Sequence, residues 1–182
     1  MGLGHAVWCA RDIVGDEPFA VLLADDFMLG KPGCLKQMVD AYNRVGGNLI
    51  CAEIVPDVQT PRYGIITPGA QDGALTEVRG LVEKPAPGTA PSNLSVIGRY
   101  ILQPEVMRVL EKQGKGAGGE IQLTDAMAQM IGDQRFHGVT FDGVRYDCGD
   151  KAGFIQANIA GALEREDIAP AEREFVAKRC TG

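Results

Sequence analysis

The sequence predicts an α/β protein with a mixed, mainly parallel sheet flanked by helices, and three features predict it. Residues 19–24 are an apolar run that stops at Asp25-Asp26, as a strand buried on both faces does where it meets a polar loop. Leu35, Met38, Val39 and Tyr42 recur at i, i+3, i+4 and i+7, the stripe of a helix laid on a sheet, and Gly46-Gly47 closes it. Residues 48–55 form the next strand. Strand, helix, strand is the unit of a parallel sheet with right-handed crossovers.

Around that unit the other elements follow in order. Residues 5–13 read as a helix, followed by a turn at Gly15-Asp16 and Pro18. From 63 to 102 the chain is β-rich, with strands at 64–67, 74–82 and 93–102; in the last, Leu94, Val96, Gly98, Tyr100 and Leu102 share one face at period 2. The Pro/Gly-rich stretch 85–91 is a loop, being short and set between strands. Helical spacing returns with Val106, Val109 and Leu110, with Leu123, Met127, Met130 and Ile131, and with Ile155, Ile159, Ala162 and Leu163. A short strand at 138–141 and the segment 144–148 lie between the last two of these, a C-terminal helix covers 171–178, and no internal repeat is present.

Bulk properties exclude several classes. A chain of 182 residues holds one domain with a real core; its 45% apolar and 23% charged content is that of a globular protein. A net charge of −6 without a basic run gives no support to nucleic-acid binding. No apolar stretch is long enough to span a bilayer, and Met1-Gly2-Leu3-Gly4-His5 lacks the charged and apolar regions of a signal peptide, so a cytoplasmic protein without a membrane partner is expected. The five cysteines form no C-x-x-C pair and read mostly as small buried hydrophobes.

Four polar islands stand where apolar elements meet loops, the usual place for functional residues: Gly2-Leu3-Gly4-His5, Ala24-Asp25-Asp26, Glu83-Lys84-Pro85 and Asp147-Cys148-Gly149. Each has a bland reading as well. Gly2 and Gly4 could begin a helix, Asp25 and Asp26 could cap a segment or start a turn, Glu83-Lys84 could be a solvated pair before a proline, and Asp147 could be a helix N-cap.

Taken together, the islands and the blocks between them resemble the bacterial UTP–glucose-1-phosphate uridylyltransferases, of the sugar-nucleotidyltransferase superfamily. The collinear blocks are Gly2-Leu3-Gly4-His5-Ala6-Val7, Ala24-Asp25-Asp26, Tyr63-Gly64, Val82-Glu83-Lys84-Pro85, Ala90-Pro91-Ser92-Asn93-Leu94 with Gly98-Arg99-Tyr100, Gly119-Glu120-Ile121-Gln122-Leu123-Thr124-Asp125, and Asp147-Cys148-Gly149 with Lys151. The resemblance implies a Rossmann-like nucleotide-diphospho-sugar transferase fold in one domain. Residues 1–62 would be the nucleotide and metal side, 63–150 a β-rich sugar-phosphate part, and 151–182 C-terminal helices. Two departures stand out. The family commonly has proline at the position of Ala24, and its N-terminal strand and Gly-x-Gly-Thr-Arg loop are not in these residues, so the domain is expected to be N-terminally truncated.

By that resemblance, Mg2+ is the cofactor, held by Asp25 and Asp147, with UTP, glucose 1-phosphate and UDP-glucose as partners. Lys84 would neutralise the sugar phosphate and Glu83 accept hydrogen bonds from sugar hydroxyls. Tyr63, Gly64 and Asn93 would border the sugar, Gly2 and Gly4 the uridine, and Asp26 would be an outer acceptor. Glu120 and Thr124 read instead as ordering the helix they introduce. Successive strand residues point to opposite faces, so Glu83 and Lys84 reach one ligand only if the strand ends there, which Pro85 would enforce. Without a triphosphate loop the chain is expected to fold, to be silent alone, and to self-associate as a homo-oligomer through apolar surface bared along 19–24. The alternatives are a related thymidylyl-, cytidylyl- or guanylyltransferase and a non-catalytic sugar-phosphate-binding or oligomerising remnant. An aspartate phosphatase fits less well, because Asp25-Asp26 lacks Asp-x-Asp spacing.

Overall fold

The computed structural model describes residues 1–180, except for the side chains of Ala117 and Cys180. Its elements are α1 (Leu3–Trp8), α2 (Arg11–Val14), β1 (Phe19–Leu22), β2 (Asp26–Leu29), α3 (Cys34–Val45), β3 (Asn48–Ile54), β4 (Gly64–Asp72) and β5 (Leu75–Glu83), then β6 (Leu94–Leu102), α4 (Glu105–Lys112), α5 (Leu123–Met130), β7 (Phe136–Thr140), β8 (Val144–Asp147), α6 (Lys151–Leu163) and α7 (Ala169–Cys180). They group into two compact units, Met1–Leu22 with Leu35–Phe141, and Leu23–Cys34 with the chain from Asp142 onward.

The first unit is built on a six-stranded mixed sheet of order β1-β6-β3-β7-β5-β4. Its direction departs from the mainly parallel expectation. Among the described residues only β3 and β7 pair in parallel, while β1–β6, β3–β6, β4–β5 and β5–β7 are antiparallel. The βαβ unit exists, since β1 and β3 both run antiparallel to β6, but β6 has been inserted between them. Strand composition records burial and not partner direction, so the insertion left no mark on the local pattern.

The run 19–24 is accordingly corrected in two respects. Its strand ends at Leu22, and it lies at an end of the sheet order with half-buried and exposed residues alternating. The strands buried on both faces are β3, in which Asn48, Leu49, Ile50, Cys51 and Ala52 are all buried, and β6, in which Ser95, Ile97 and Ile101 are as buried as the period-2 set Leu94, Val96, Tyr100 and Leu102. The helix expected over 5–13 is broken: α1 ends at Trp8 and α2 starts at Arg11, with Ala10 at φ −87° and ψ −1°. The guanidinium of Arg11 covers the Trp8 ring at 3.8 Å.

The core of this unit is formed by Met38 of α3, Leu49 and Ile50 of β3, Ile65 and Ile66 of β4, Ile97 and Leu102 of β6, Val106 of α4 and Leu123 and Met127 of α5, all essentially inaccessible. Each such side chain contributes about 1.5–3 kcal/mol by leaving water. Buried among them is Asn48, whose Nδ2 donates to Gln134 Oε1 at 2.7 Å and whose Oδ1 accepts the Gln103 amide at 2.8 Å. Both ends of the amide are satisfied, which a buried polar group requires. Cys34 and Cys51 are buried as expected, whereas Cys9 is exposed and Cys148 half-buried.

The second unit joins β2 and β8 as an antiparallel ribbon in the register Asp26↔Asp147, Phe27↔Tyr146, Met28↔Arg145 and Leu29↔Val144. Strand β2 was not foreseen, because two adjacent acids read as the end of a strand when the second of them begins one. Helix α6 approaches the ribbon through glycines: a Cβ on Gly161 would stand 3.2 Å from Phe27 Cζ, and one on Gly153 would stand 2.0 Å from the Asp147 carbonyl oxygen. No helix among the described residues is long and apolar enough to cross a membrane.

Candidate active site

The second unit brings Asp25 and Asp147 together. Asp25 occupies the turn ahead of β2, exposed, with its carbonyl oxygen accepting the Cys148 amide at 2.7 Å. Asp147 ends β8, and its Oδ1 accepts the Gly149 amide at 3.0 Å. A Cβ on Gly149 would stand 3.1 Å from Asp147 Oδ1 and 3.9 Å from Asp25 Oδ2, so the missing side chain leaves room bordered by both carboxylates. The N-cap of α6 is Asp150, whose Oδ1 accepts the Ala152 amide at 2.7 Å. Asp147 is therefore not consumed as the helix cap.

Asp26 points elsewhere. It is buried and accepts a hydrogen bond from Arg145 Nε, and the same guanidinium places Nη2 3.9 Å from Asp147 Oδ2. Sequence reasoning passed over Arg145. Its spacing of two from Asp147 puts both on one face of a strand, but the partner that gives it meaning lies 119 positions away.

The first unit gathers Tyr63, Gly64, Glu83, Lys84 and Thr124. Gly64 faces Glu83 directly across the β4–β5 ladder. A Cβ on Gly64 would stand 3.1 Å from Glu83 Oε2 and 3.3 Å from both Thr124 Oγ1 and Cγ2, so the glycine accommodates these two side chains. The Lys84 amide donates to the Tyr63 carbonyl at 3.0 Å. Lys84 has φ +45°, the only non-glycine residue with positive φ among those described. That left-handed turn, ahead of the restricted residue Pro85, ends the strand and brings Lys84 Nζ to 3.7 Å from Glu83 Oε1. The Glu83 side chain is 11% exposed and that of Lys84 54% exposed.

The remaining expected residues are Asn93, Gly2 and Gly4. Asn93 immediately precedes β6, exposed, its carbonyl accepting the Val55 amide at 3.0 Å. Gly2 (φ +88°) and Gly4 pack against the Glu120-Ile121 segment: their Cβ atoms would stand 2.7 and 2.8 Å from the Ile121 carbonyl oxygen, to which the Gly4 amide donates. None of the expected site residues lines the cavity of about 670 Å³ between the start of β7 and the β4–β5 hairpin, bordered by Val45, Leu75, Glu77, Arg79, Arg135 and His137. Burial, and then the Arg135 charge, lower the His137 pKa below its usual value, against an opposing contribution from Glu77.

One cluster thus sets two carboxylates around a glycine, and the other pairs an ammonium with a half-buried acid. The chain belongs to the nucleotidyl transferase family, whose sequence model matches residues 1–162. It is 54% identical over 150 residues to a UTP–glucose-1-phosphate uridylyltransferase of Komagataeibacter xylinus, covering 82% of this chain and 53% of that protein. It is 48% identical over 167 residues to the protein of the same name from Bacillus subtilis strain 168, covering 92% of this chain and 57% of that one. Among solved structures, a UDP-glucose pyrophosphorylase complexed with UDP-glucose superposes with a TM-score of 0.86 at 39% identity, over 90% of this chain and 63% of that chain. The fold is thus that of the UDP-glucose pyrophosphorylases, and the chain spans a little over half the length of the curated relatives it matches.

Proposed function

We propose that this chain carries the metal-binding and sugar-phosphate-binding residues of an enzyme that transfers uridylyl from UTP to glucose 1-phosphate, giving UDP-glucose and pyrophosphate. The observation that carries the reading is the pair Asp25 and Asp147 facing the space that Gly149 leaves open. The relatives' names supply the uridylyl and glucose branch.

The donor chemistry fits Mg2+. Two hard carboxylate oxygens border a cradle that a Cβ would fill, and no third His, Cys, Asp or Glu joins them in a metal-binding group among the described residues. Water and phosphate oxygens then complete the shell, as they usually do for this ion. When bound, the ion offsets the repulsion of two phosphate groups, about 4 kcal/mol for unit charges 4 Å apart at an effective dielectric of 20. Asp25 and Asp147 hold that charge in place, and Arg145 keeps Asp26 from competing with them for it. Lys84 pairs with the phosphate of glucose 1-phosphate and aims its oxygen at the α-phosphorus. Glu83, already beside Lys84, accepts hydrogen bonds from sugar hydroxyls, with Tyr63, Gly64 and Asn93 bordering the sugar. The nucleoside role of Gly2 and Gly4 rests on the family resemblance. Residues 1–62, joined by Asp147, then serve the nucleotide and metal side, the rest of 63–150 the sugar phosphate, and the C-terminal helices follow from 151, with 181–182 outside the described residues.

A cytoplasmic setting fits the soluble substrates, and self-association fits the exposed apolar side chains Leu22, Phe154, Ile155 and Phe175. Light scattering after gel filtration tests the latter; a monomer at all concentrations rejects it. The function is tested by pyrophosphate release from UTP and glucose 1-phosphate with Mg2+, using the chain alone and with the relatives' N-terminal segment supplied in trans. Activity that appears and then falls by orders of magnitude in Lys84→Ala and Asp147→Asn is expected. Turnover indifferent to both variants would refute the assignment.

A further inference from the structure

We propose that Arg145 is a positioning residue: anchored on Asp26, it turns the Asp147 carboxylate so that Oδ1 faces Gly149 and Asp25, the orientation in which the two acids take a divalent cation. The inference rests on the metal reading above and adds to it the residue that sets its geometry.

The β2–β8 register puts Asp26 directly opposite Asp147. Two like charges directly opposite across a ladder are destabilising, and a cation beside them offsets the repulsion. Arg145 is that cation. Two residues before Asp147 on the same strand face, it donates from Nε to Asp26 Oδ1 and lies with Nη2 3.9 Å from Asp147 Oδ2. The side chains of Arg145 and Asp26 are 10% and 7% exposed, so the guanidinium is held by a buried partner. A planar fork can serve two carboxylates in fixed directions, which a lysine ammonium cannot. With Oδ2 on the guanidinium side and Oδ1 accepting the Gly149 amide, the Asp147 carboxylate is oriented before any ligand arrives. Asp26 is thus a counter-anchor and not a ligand, which explains why two adjacent acids stand in the Asp25-Asp26 turn while only the first faces the cradle.

The test is direct Mn2+ binding by electron paramagnetic resonance, with and without UDP-glucose, on the 182-residue chain. Arg145→Met should weaken Mn2+ by about 10–100-fold, the usual effect of losing a residue that orients a metal ligand. Arg145→Met alone takes the guanidinium away from a buried carboxylate, so the double variant Arg145→Met/Asp26→Asn is the decisive one. It should unfold in urea near the wild-type midpoint and still bind Mn2+ weakly, because the guanidinium no longer turns Asp147. Wild-type Mn2+ affinity in the double variant would overturn the inference, showing that Arg145 merely neutralises Asp26. Asp25→Asn and Asp147→Asn separate the two levels: wild-type affinity in either would refute the metal assignment itself, whichever way the Arg145 variants behave.

Discussion

Lys84 Nζ lies 3.7 Å from Glu83 Oε1, although neighbours on a strand point to opposite faces. The left-handed backbone of Lys84, φ +45°, makes the contact. For a residue with a Cβ that conformation costs about 1–2 kcal/mol, and strain of this kind gathers at functional sites. Lys84→Gly should therefore be more stable than Lys84→Ala by about 1 kcal/mol, because only glycine is at ease there. Both should lose glucose 1-phosphate affinity alike. Urea unfolding and calorimetric titration give the two numbers, and equal stability of the variants would remove the strain argument.

Gly149 and Gly153 separate the chemistry of the acidic cluster from its support. Gly149→Ala crowds the space bordered by Asp25 and Asp147 and should weaken Mn2+ binding with little change in stability. Gly153→Ala drives a Cβ into the Asp147 carbonyl and should destabilise the protein by about 1–3 kcal/mol, the range for overpacking. The reverse ranking, read from urea midpoints and Mn2+ titrations, would show that α6 yields more easily than the cradle.

Gly64, Glu83 and Thr124 should behave as a coupled set. Gly64→Ala puts a methyl against Glu83 Oε2 and Thr124 and is expected to raise the KM for glucose 1-phosphate more than it lowers kcat. Thr124→Ser removes Cγ2, one of the atoms that would be struck, so the double variant should recover part of the loss. Strict additivity would place the effect of Gly64→Ala elsewhere.

His137 gives the stability an acid-sensitive component. Burial first, then Arg135, lower its pKa in the folded state, with Glu77 opposing. Between that lowered value and the ordinary 6.5 the unfolded chain binds more protons, so stability is full above 6.5 and falls as pH drops toward the folded value. His137→Gln should flatten the dependence of the urea midpoint on pH in that window, and an unchanged slope would assign it to other groups.

Asp25, Glu83, Lys84 and Asp147 stood out as candidates in the sequence because each lies where an apolar pattern stops, and the collinear blocks identified the family. What they do to one another was not. Lys84 turns back on Glu83 through a backbone conformation that residue type disfavours, so propensity pointed away from it. Arg145 looked like one more strand residue because Asp26, the group that buries it, is far away in the chain. Asp26 was taken for the end of a strand because adjacent charges outweigh a four-residue run such as Asp26–Leu29.

The sequence by itself determined most of the elements, though not β2 or the break between α1 and α2, and the chemical inventory, since helix and strand periodicities, glycine stops and acids at junctions are properties of a few consecutive residues. Only the tertiary structure decided which strand is central, which way the strands run, and which acid faces open space. Those are settled by pairing across long loops, where β6 enters between β1 and β3 and β8 lies against β2. Pairing energy depends on who the neighbour is, and no local pattern carries that information.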